Sequence, residues 1–280
     1  MNIGAHVPTR GRPGGAVEYA LAIGADAFQI FVGNPRAWAP PPVRPDLAAE
    51  FRERRREARI EAVFVHASYL VNIASPNPAF LERSVELARR ELEAAAALGA
   101  NGLVVHAGAG GPGERTAAVR RAAASAAAIA DDEDEDGPAV LLELTAGGAG
   151  TVASTVPQAG ELLEAADGHP RLGICLDTCH LFAAGYAMDR EEGVAACLGE
   201  LHAAGLDARL ELVHANDARD PRGSRRDRHA DPGRGHIGEV GFTALFRHPS
   251  LRDRTVLAEV PGKEREHARV VADLRRLAGG

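Results

Sequence analysis

The stretch LGICLDTCHLFAAGY, Leu172–Tyr186, opens on an apolar run that stops at Asp177. Such a run, without polar alternation, reads as a strand buried on both faces, as in a parallel sheet. Its end is unusual. Asp177, Cys179 and His180 follow in quick succession. A turn needs none of these groups, so the strand end marks a site.

The same pattern recurs along the chain. Strand-like runs are expected at Asn2–Val7, Ala27–Phe31, Ala62–His66, Gly102–His106, Ala139–Leu144, Leu172–Asp177, Leu210–His214 and Thr255–Glu259. Helical patterns separate them, at VEYALAIGA after the first strand and DLAAEFRERRREARI after the second. FLERSVELARRELEAAAALGA is rich in good helix formers and ends at Gly99. Arg115–Ala130, Gln158–Ala166, Glu191–Ala204, Val240–Phe246 and Glu264–Leu277 complete the set. Short apolar strands alternating with helices imply parallel βα units. Eight units in a chain of 280 residues predict an α/β fold, a (β/α)8 TIM barrel, as one domain over residues 1–280. An open doubly wound sheet is the runner-up, but no GxGxxG follows the first strand.

Composition narrows the classes. The chain is 45% hydrophobic with only 4% aromatic residues, so its core is built from Ala, Val, Leu and Ile. No apolar run approaches a membrane span, and MNIGAHVPTRG is unlike a signal peptide. Three cysteines, Cys175, Cys179 and Cys197, make no disulfide framework, which suits a reducing, cytoplasmic setting. The net charge of −7 argues against non-specific nucleic-acid binding, though a local basic face decides that question. Lys263 is the sole lysine, so lysine chemistry has one candidate. The acidic run Asp131–Asp136 reads as a solvated loop. The long polar stretch Ala215–Gly238 is aperiodic, and its Arg, Asp and His content favours function.

Six strands carry an imidazole or a carboxylate at or near the C-terminal end: His66, His106, Glu143, Asp177, His214 and Glu259. In a (β/α)8 barrel those ends converge on the face that holds the active site. One such residue alone is more often a satisfied hydrogen-bonding group. Six together are costly to bury unless cations compensate them. His180, Asp227 and His229 add three ligand-type groups near this face. The mixture of nitrogen and oxygen donors suits zinc, with manganese or iron as competitors. Nine groups exceed one tetrahedral ion, so two or three ions with bridging carboxylates are expected. Closely spaced metals suit phosphoryl displacement. Cys179 reads as packing rather than as a ligand.

These motifs resemble the endonuclease IV family, the zinc-dependent apurinic/apyrimidinic (AP) endonucleases of base-excision repair. The likeness runs from IGAH (Ile3–His6) to LAEVPG (Leu257–Gly262), and its most specific pieces are LDTCHLFAAGY, HANDA and GSRRDRHADPGRGHIG. The resemblance implies a barrel with three zinc ions. His66 and His106 would hold the first, with Glu143 bridging to the second. Asp177, His214 and Glu259 would complete the second, and His180, Asp227 and His229 the third. It implies hydrolysis of the phosphodiester 5′ to an abasic site by a metal-activated water. The products are a 3′-hydroxyl and a 5′-deoxyribose phosphate. By the same resemblance Glu143 and Glu259 are the expected catalytic carboxylates, and 3′-blocking groups would be further substrates, a point the sequence itself leaves open. The partner is damaged double-stranded DNA, and the chain is expected to act as a monomer with no membrane association.

The family also inserts side chains into the DNA stack. Arg36 in GNPRAW and Tyr69 in HASYL match those positions, and Trp38 shares the first loop, with packing as its plain alternative. Arg222, Arg225, Arg226 and Arg228 form a basic run suited to tracking phosphates. Four positions depart from the family pattern: Ala107 in HAG, Leu144 in ELTAG, Ala230 after DRH, and Arg234 where an acid is usual. None is a ligand. Arg234 either contacts DNA phosphate or weakens metal retention. A metal-dependent sugar isomerase or epimerase on a similar barrel is the alternative enzyme, and a non-catalytic lesion binder the alternative outside enzymes.

Overall fold

The computed structural model describes residues 1–39, 44–134 and 136–279. Eight parallel strands close a barrel. They are β1 (Asn2–His6), β2 (Ala27–Ile30), β3 (Ala62–His66), β4 (Gly102–His106), β5 (Ala139–Glu143), β6 (Leu172–Asp177), β7 (Leu210–His214) and β8 (Thr255–Ala258). Strand β1 pairs with both β2 and β8, which closes the ring. Every strand is expected from the sequence, with ends displaced by one residue at most.

Helices α1 (Pro13–Ala22), α2 (Pro45–Glu57), α3 (Pro78–Leu98), α4 (Arg115–Ala130) and α5 (Val156–Ala165) wrap the first half. Helices α6 (Thr178–Ala184), α7 (Glu191–Ala203), α8 (Gly238–Arg247) and α9 (Glu264–Leu277) wrap the second. Local chemistry sets several boundaries. The Asn77 side chain accepts from Phe80 N at 3.1 Å, Pro78 follows it, and Gly99 ends α3 at φ 65°. Among the described residues no helix is long and apolar enough to cross a membrane. Of the acidic run, Glu135 lies outside the described residues.

Two elements were not expected. Helix α6 starts directly after Asp177, in a stretch outside the helices expected from the sequence. It is seven residues long and almost wholly buried, so no helical period shows in its sequence. The polar stretch after β7 contains a short antiparallel ladder, Asp217–Ala218 against His229–Ala230.

The apolar interior divides in two. A large cluster lies between barrel and helices, and includes Phe28, Phe51, Leu92 and Leu103. A smaller one fills the barrel itself: Ala27, Ala62, Phe64, Val104, Leu141, Cys175, Leu212 and Leu257. Phe51 of α2 is fully buried and meets Phe28 of β2 edge-on, with ring centroids 6.1 Å apart. Phe51→Ala removes that contact and leaves a cavity, and should cost about 3–5 kcal/mol of stability, read from chemical denaturation. A loss below about 1 kcal/mol would mean that α2 collapses onto the strand instead.

Candidate metal centre

Strand alternation builds the site. Side chains two residues apart point to the same face of a strand. Phe64, Val104, Leu141, Cys175, Leu212 and Leu257 fill the barrel. Two residues further along each strand lie His66, His106, Glu143, Asp177, His214 and Glu259. The layer above the apolar plug is therefore made of ligand-type groups. The same step from Ala27 reaches Gln29, and from Gly4 it reaches His6.

Glu143 lies at the centre, fully buried. Its Oε2 is 3.2 Å from His66 Nε2 and 3.4 Å from His106 Nε2. Its Oε1 is 3.2 Å from both His214 Nδ1 and His180 Nδ1. Its ion-pair partners among the described residues are all imidazoles. Three groupings bring ligand atoms within 4.8 Å of one another: His66, His106 and Glu143; Glu143, Asp177, His214 and Glu259; and His180, Asp227 and His229. Cys175 and Cys179 also lie close enough to join such groups. Both are buried, and with no metal beside them burial pushes the Cys179 thiol up to about 12 and Cys175 well above its usual value.

Ring orientation tests whether these residues suit metal ions. His66 donates from Nδ1 to Ala67 O at 2.8 Å, and His229 from Nδ1 to Glu259 O at 2.9 Å. Each is thereby fixed with Nε2 facing inward, the arrangement usual for metal-bound imidazole. His180 Nδ1 meets Leu144 O at 2.9 Å, and its Nε2 lies 3.2 Å from Asp227 Oδ1. The inward Nε2 of His229 is buried with no hydrogen bond, although Asp227 Oδ1 is 2.9 Å away. An orphaned, buried nitrogen beside two carboxylates fits a divalent cation that the ring and the acids share. The donor set, nitrogen and oxygen without a thiolate, fits zinc and related first-row ions.

Residues beyond the expected nine organise them. Asn216 donates from Nδ2 to Asp177 Oδ2 at 2.6 Å and accepts from Glu259 N at 2.7 Å. Asp177 also caps α6, accepting from His180 N at 2.9 Å. Fully buried Asp217 accepts from Gly235 N, Ile237 N and Gly238 N, at 2.8, 2.8 and 3.1 Å. It anchors the far end of the polar loop that carries Asp227 and His229. Gln29 touches His214, Glu259 and His6. The sequence analysis gives Asn216, Asp217 and Gln29 no role, although a glutamine within the apolar run AFQIF is a visible signal.

The site opens on a cavity of about 580 Å³ whose walls include His6, Phe31, Tyr69, Arg219 and Arg228. Comparison with known proteins gives the family of the chain. Residues 17–278 match the family described as xylose isomerase-like TIM barrel. The chain is 41% identical to a probable endonuclease 4 of Streptomyces coelicolor, over 99% of this chain and 95% of that one. It is 40% identical to a probable endonuclease 4 of Methanoculleus marisnigri, over 99% of each. The chain belongs to the endonuclease 4 family. The crystal structure of endonuclease IV from Thermus thermophilus superposes with a TM-score of 0.87 at 33% identity, covering 99% of each chain. A D-tagatose 3-epimerase-like protein shares the fold alone, with a TM-score of 0.73 at 19% identity.

The departures from the endonuclease IV pattern sit as follows. Leu144 buries its side chain in the core, while its carbonyl orients His180. Ala107 N donates to Glu143 O at 3.0 Å, a bond that proline could not make. Ala230 pairs with Asp217 in the short ladder. Arg234 is not among the cavity-lining residues, and its guanidinium meets Asp273 of α9 at 3.1 Å. Arg228 is clamped to Asp220, Nε to Oδ2 at 2.6 Å, and Arg226 Nη1 lies 3.5 Å from the same carboxylate. Arg225 adopts φ 56° and hydrogen-bonds Ala183 O through its amide. Arg36 is exposed. Tyr69 is 61% exposed and packs edge-on against Phe31. Trp38 packs edge-on against Phe80, under the guanidinium of Arg83.

Burial alone would lower the imidazoles, but the carboxylates outweigh it. Glu143 and Glu259 lift His66 to about 9, and Asp177 and Asp227 lift His229 to about 9. Both rings therefore hold protons at pH 7 when no metal competes. A raised imidazole stabilises the fold below its unfolded value, roughly 6.5, and that contribution is lost as pH rises through the folded value. Metal-free protein should lose stability between about pH 6.5 and 9. Zinc uptake at pH 7 should release protons, so its heat should differ between buffers of different ionisation enthalpy. Equal heats would show that the rings were already neutral.

Proposed function

We propose that the chain is a metal-dependent DNA-repair endonuclease. Its reaction is hydrolysis of the phosphodiester 5′ to AP sites in duplex DNA, leaving a 3′-hydroxyl and a 5′-deoxyribose phosphate. The observation that carries this reading is the convergence of three ligand groups on Glu143 in an open cavity, in a chain related over its full length to proteins named endonuclease 4. His66, His106 and Glu143 would hold one zinc. Glu143, Asp177, His214 and Glu259 would hold a second, and His180, Asp227 and His229 a third. Bound ions supply a water nucleophile at neutral pH and neutralise charge on the attacking and leaving oxygens.

The protein's part is positioning. Glu143 ties the groups together, Glu259 reaches both His214 and Gln29, and backbone carbonyls hold the rings in register. Arg36 and Tyr69, both exposed, would enter the DNA stack at a nucleotide whose extrusion costs least because its base is gone. Arg219 and Arg228 at the cavity wall would face phosphate. Arg225 and Arg234 lie outside the cavity lining and would serve flanking DNA. Trp38 would support the Arg36 loop from beneath. The reading keeps the enzyme in the cytoplasm, where its three buried, free cysteines stay thiols.

The epimerase alternative shares the fold but has less support. The sole lysine, Lys263, caps α9 and is not among the cavity-lining residues.

The purified protein should incise a duplex carrying one abasic analogue on the 5′ side of the lesion. Chelation should abolish this and zinc restore it, with about three zinc per chain by mass spectrometry. Glu143→Gln should bind the duplex and cut it at least about 100-fold more slowly. Ketose epimerisation without incision would overturn the reading, as would normal rates for Glu143→Gln. Tyr69→Ala should weaken binding of abasic duplex by about 1–3 kcal/mol, the usual contribution of one stacked base. Unchanged affinity would remove Tyr69 from the interface.

A further inference from the structure

The barrel layer that holds the ligands contains two residues with no ligand role, His6 of β1 and Gln29 of β2. Both are polar groups in positions where the other strands place metal-type donors. They touch each other: Gln29 Nε2 lies 3.0 Å from His6 Nδ1. Gln29 also reaches Glu259 Oε1 at 2.6 Å through Nε2, and His214 Nε2 at 3.0 Å through Oε1.

These three contacts set the arrangement of protons; His6 Nδ1 also lies 3.5 Å from Glu259 Oε1, longer than its 3.0 Å contact with the Gln29 amide and too long for a good hydrogen bond. A carboxylate only accepts, so the end of the amide 2.6 Å from Glu259 must be the NH2. The amide oxygen then faces His214, whose Nε2 supplies the proton. His214 Nδ1 meanwhile faces Glu143 and Glu259, so the ring's other nitrogen is available for this bond. The second N–H of the Gln29 amide points at His6 Nδ1, which must accept. A neutral imidazole that accepts at Nδ1 carries its proton at Nε2. His6 Nε2 has no protein partner among the described residues and is not among the buried unsatisfied atoms. His6 lines the cavity, and its ring is held at 4.4 Å from the Phe31 ring. Its Nε2–H therefore opens on the cavity as a donor of fixed direction.

We infer that His6 is a substrate-contacting residue, whose Nε2–H donates a hydrogen bond to a phosphate oxygen in the cavity, with Gln29 as the positioning residue that fixes its tautomer. This rests on the nuclease reading for the identity of the phosphate. A neutral donor suits this place. It can bind an anionic oxygen beside Glu259 without competing for the carboxylate as a cation would.

The test uses the full metal-loaded chain with inorganic phosphate as probe. The imidazole nitrogen spectrum, with His6 assigned through His6→Phe, should show a bare Nδ1 and a protonated Nε2. Added phosphate should shift the Nε2 signal. His6→Phe keeps the ring against Phe31 but lacks the donor. It should retain the wild-type metal content while phosphate affinity by calorimetry falls about 10–100-fold. His6→Gln, which returns an N–H near the same point, should recover part of that loss. Gln29→Glu offers His6 an acceptor in place of a donor and should move the proton to Nδ1. If that variant fails to fold, the two His6 variants decide alone.

A wild-type His6 protonated at Nδ1 would overturn the inference. So would undetectable phosphate binding by the wild type, unchanged phosphate affinity in His6→Phe, or loss of metal from His6→Phe. Absence of incision on abasic duplex by the wild-type protein would refute the nuclease reading instead, because the nitrogen spectrum and the phosphate titration read His6 without turnover.

Discussion

A fully buried carboxylate surrounded by imidazoles is the constraint from which the rest of the site follows. Glu143 has four ring nitrogens within 3.4 Å. Burial would raise such an acid strongly, yet the surrounding imidazoles, His214 and His106 foremost, hold it well below the usual carboxylate range. Negative charge in that position requires positive charge beside it, as protons or as metal. The residues nearby are arranged to supply it. Rings are pinned through one nitrogen so that the other faces the acids, and Asn216 spans Asp177 and the Glu259 backbone.

Barrel geometry explains how so many polar groups reach one layer. The period-two alternation of each strand places an apolar residue inside the barrel and, at the next inward position, a polar one at its mouth. The plug of Phe64, Leu141, Leu212 and Leu257 lies one inward position below the ligand layer, and the cavity lies on the other side of that layer. The third ligand group needs more than strand ends. His180 comes from the first turn of α6, capped by Asp177 itself. Asp227 and His229 come from the polar loop, pinned at its far end by Asp217.

Much of this was legible in the chain. Apolar runs such as Leu172–Asp177 marked the strands, because a strand covered on both faces tolerates little polarity. Strand-end ionisable residues marked six members of the site. What stayed hidden has local causes. Helix α6 is too short and too buried to display a period. Gln29 and Asn216 have no charge to draw attention, and their importance lies in bonds to residues far away in sequence, such as Gln29 to Glu259. Arg228 reads as a free cation in sequence, whereas its guanidinium is held by Asp220.

By itself the sequence determined the order of strands and helices, the barrel they imply and the types of donor at the strand ends. Those properties depend on local periodicity and on the chemistry of single residues. Only the tertiary structure decided which donors share a group, which nitrogen of each ring faces inward, and that His6 and Gln29 belong to the same layer. Such facts depend on where strands distant in sequence lie around a closed ring, and that is set by long-range register and packing, which no local pattern encodes.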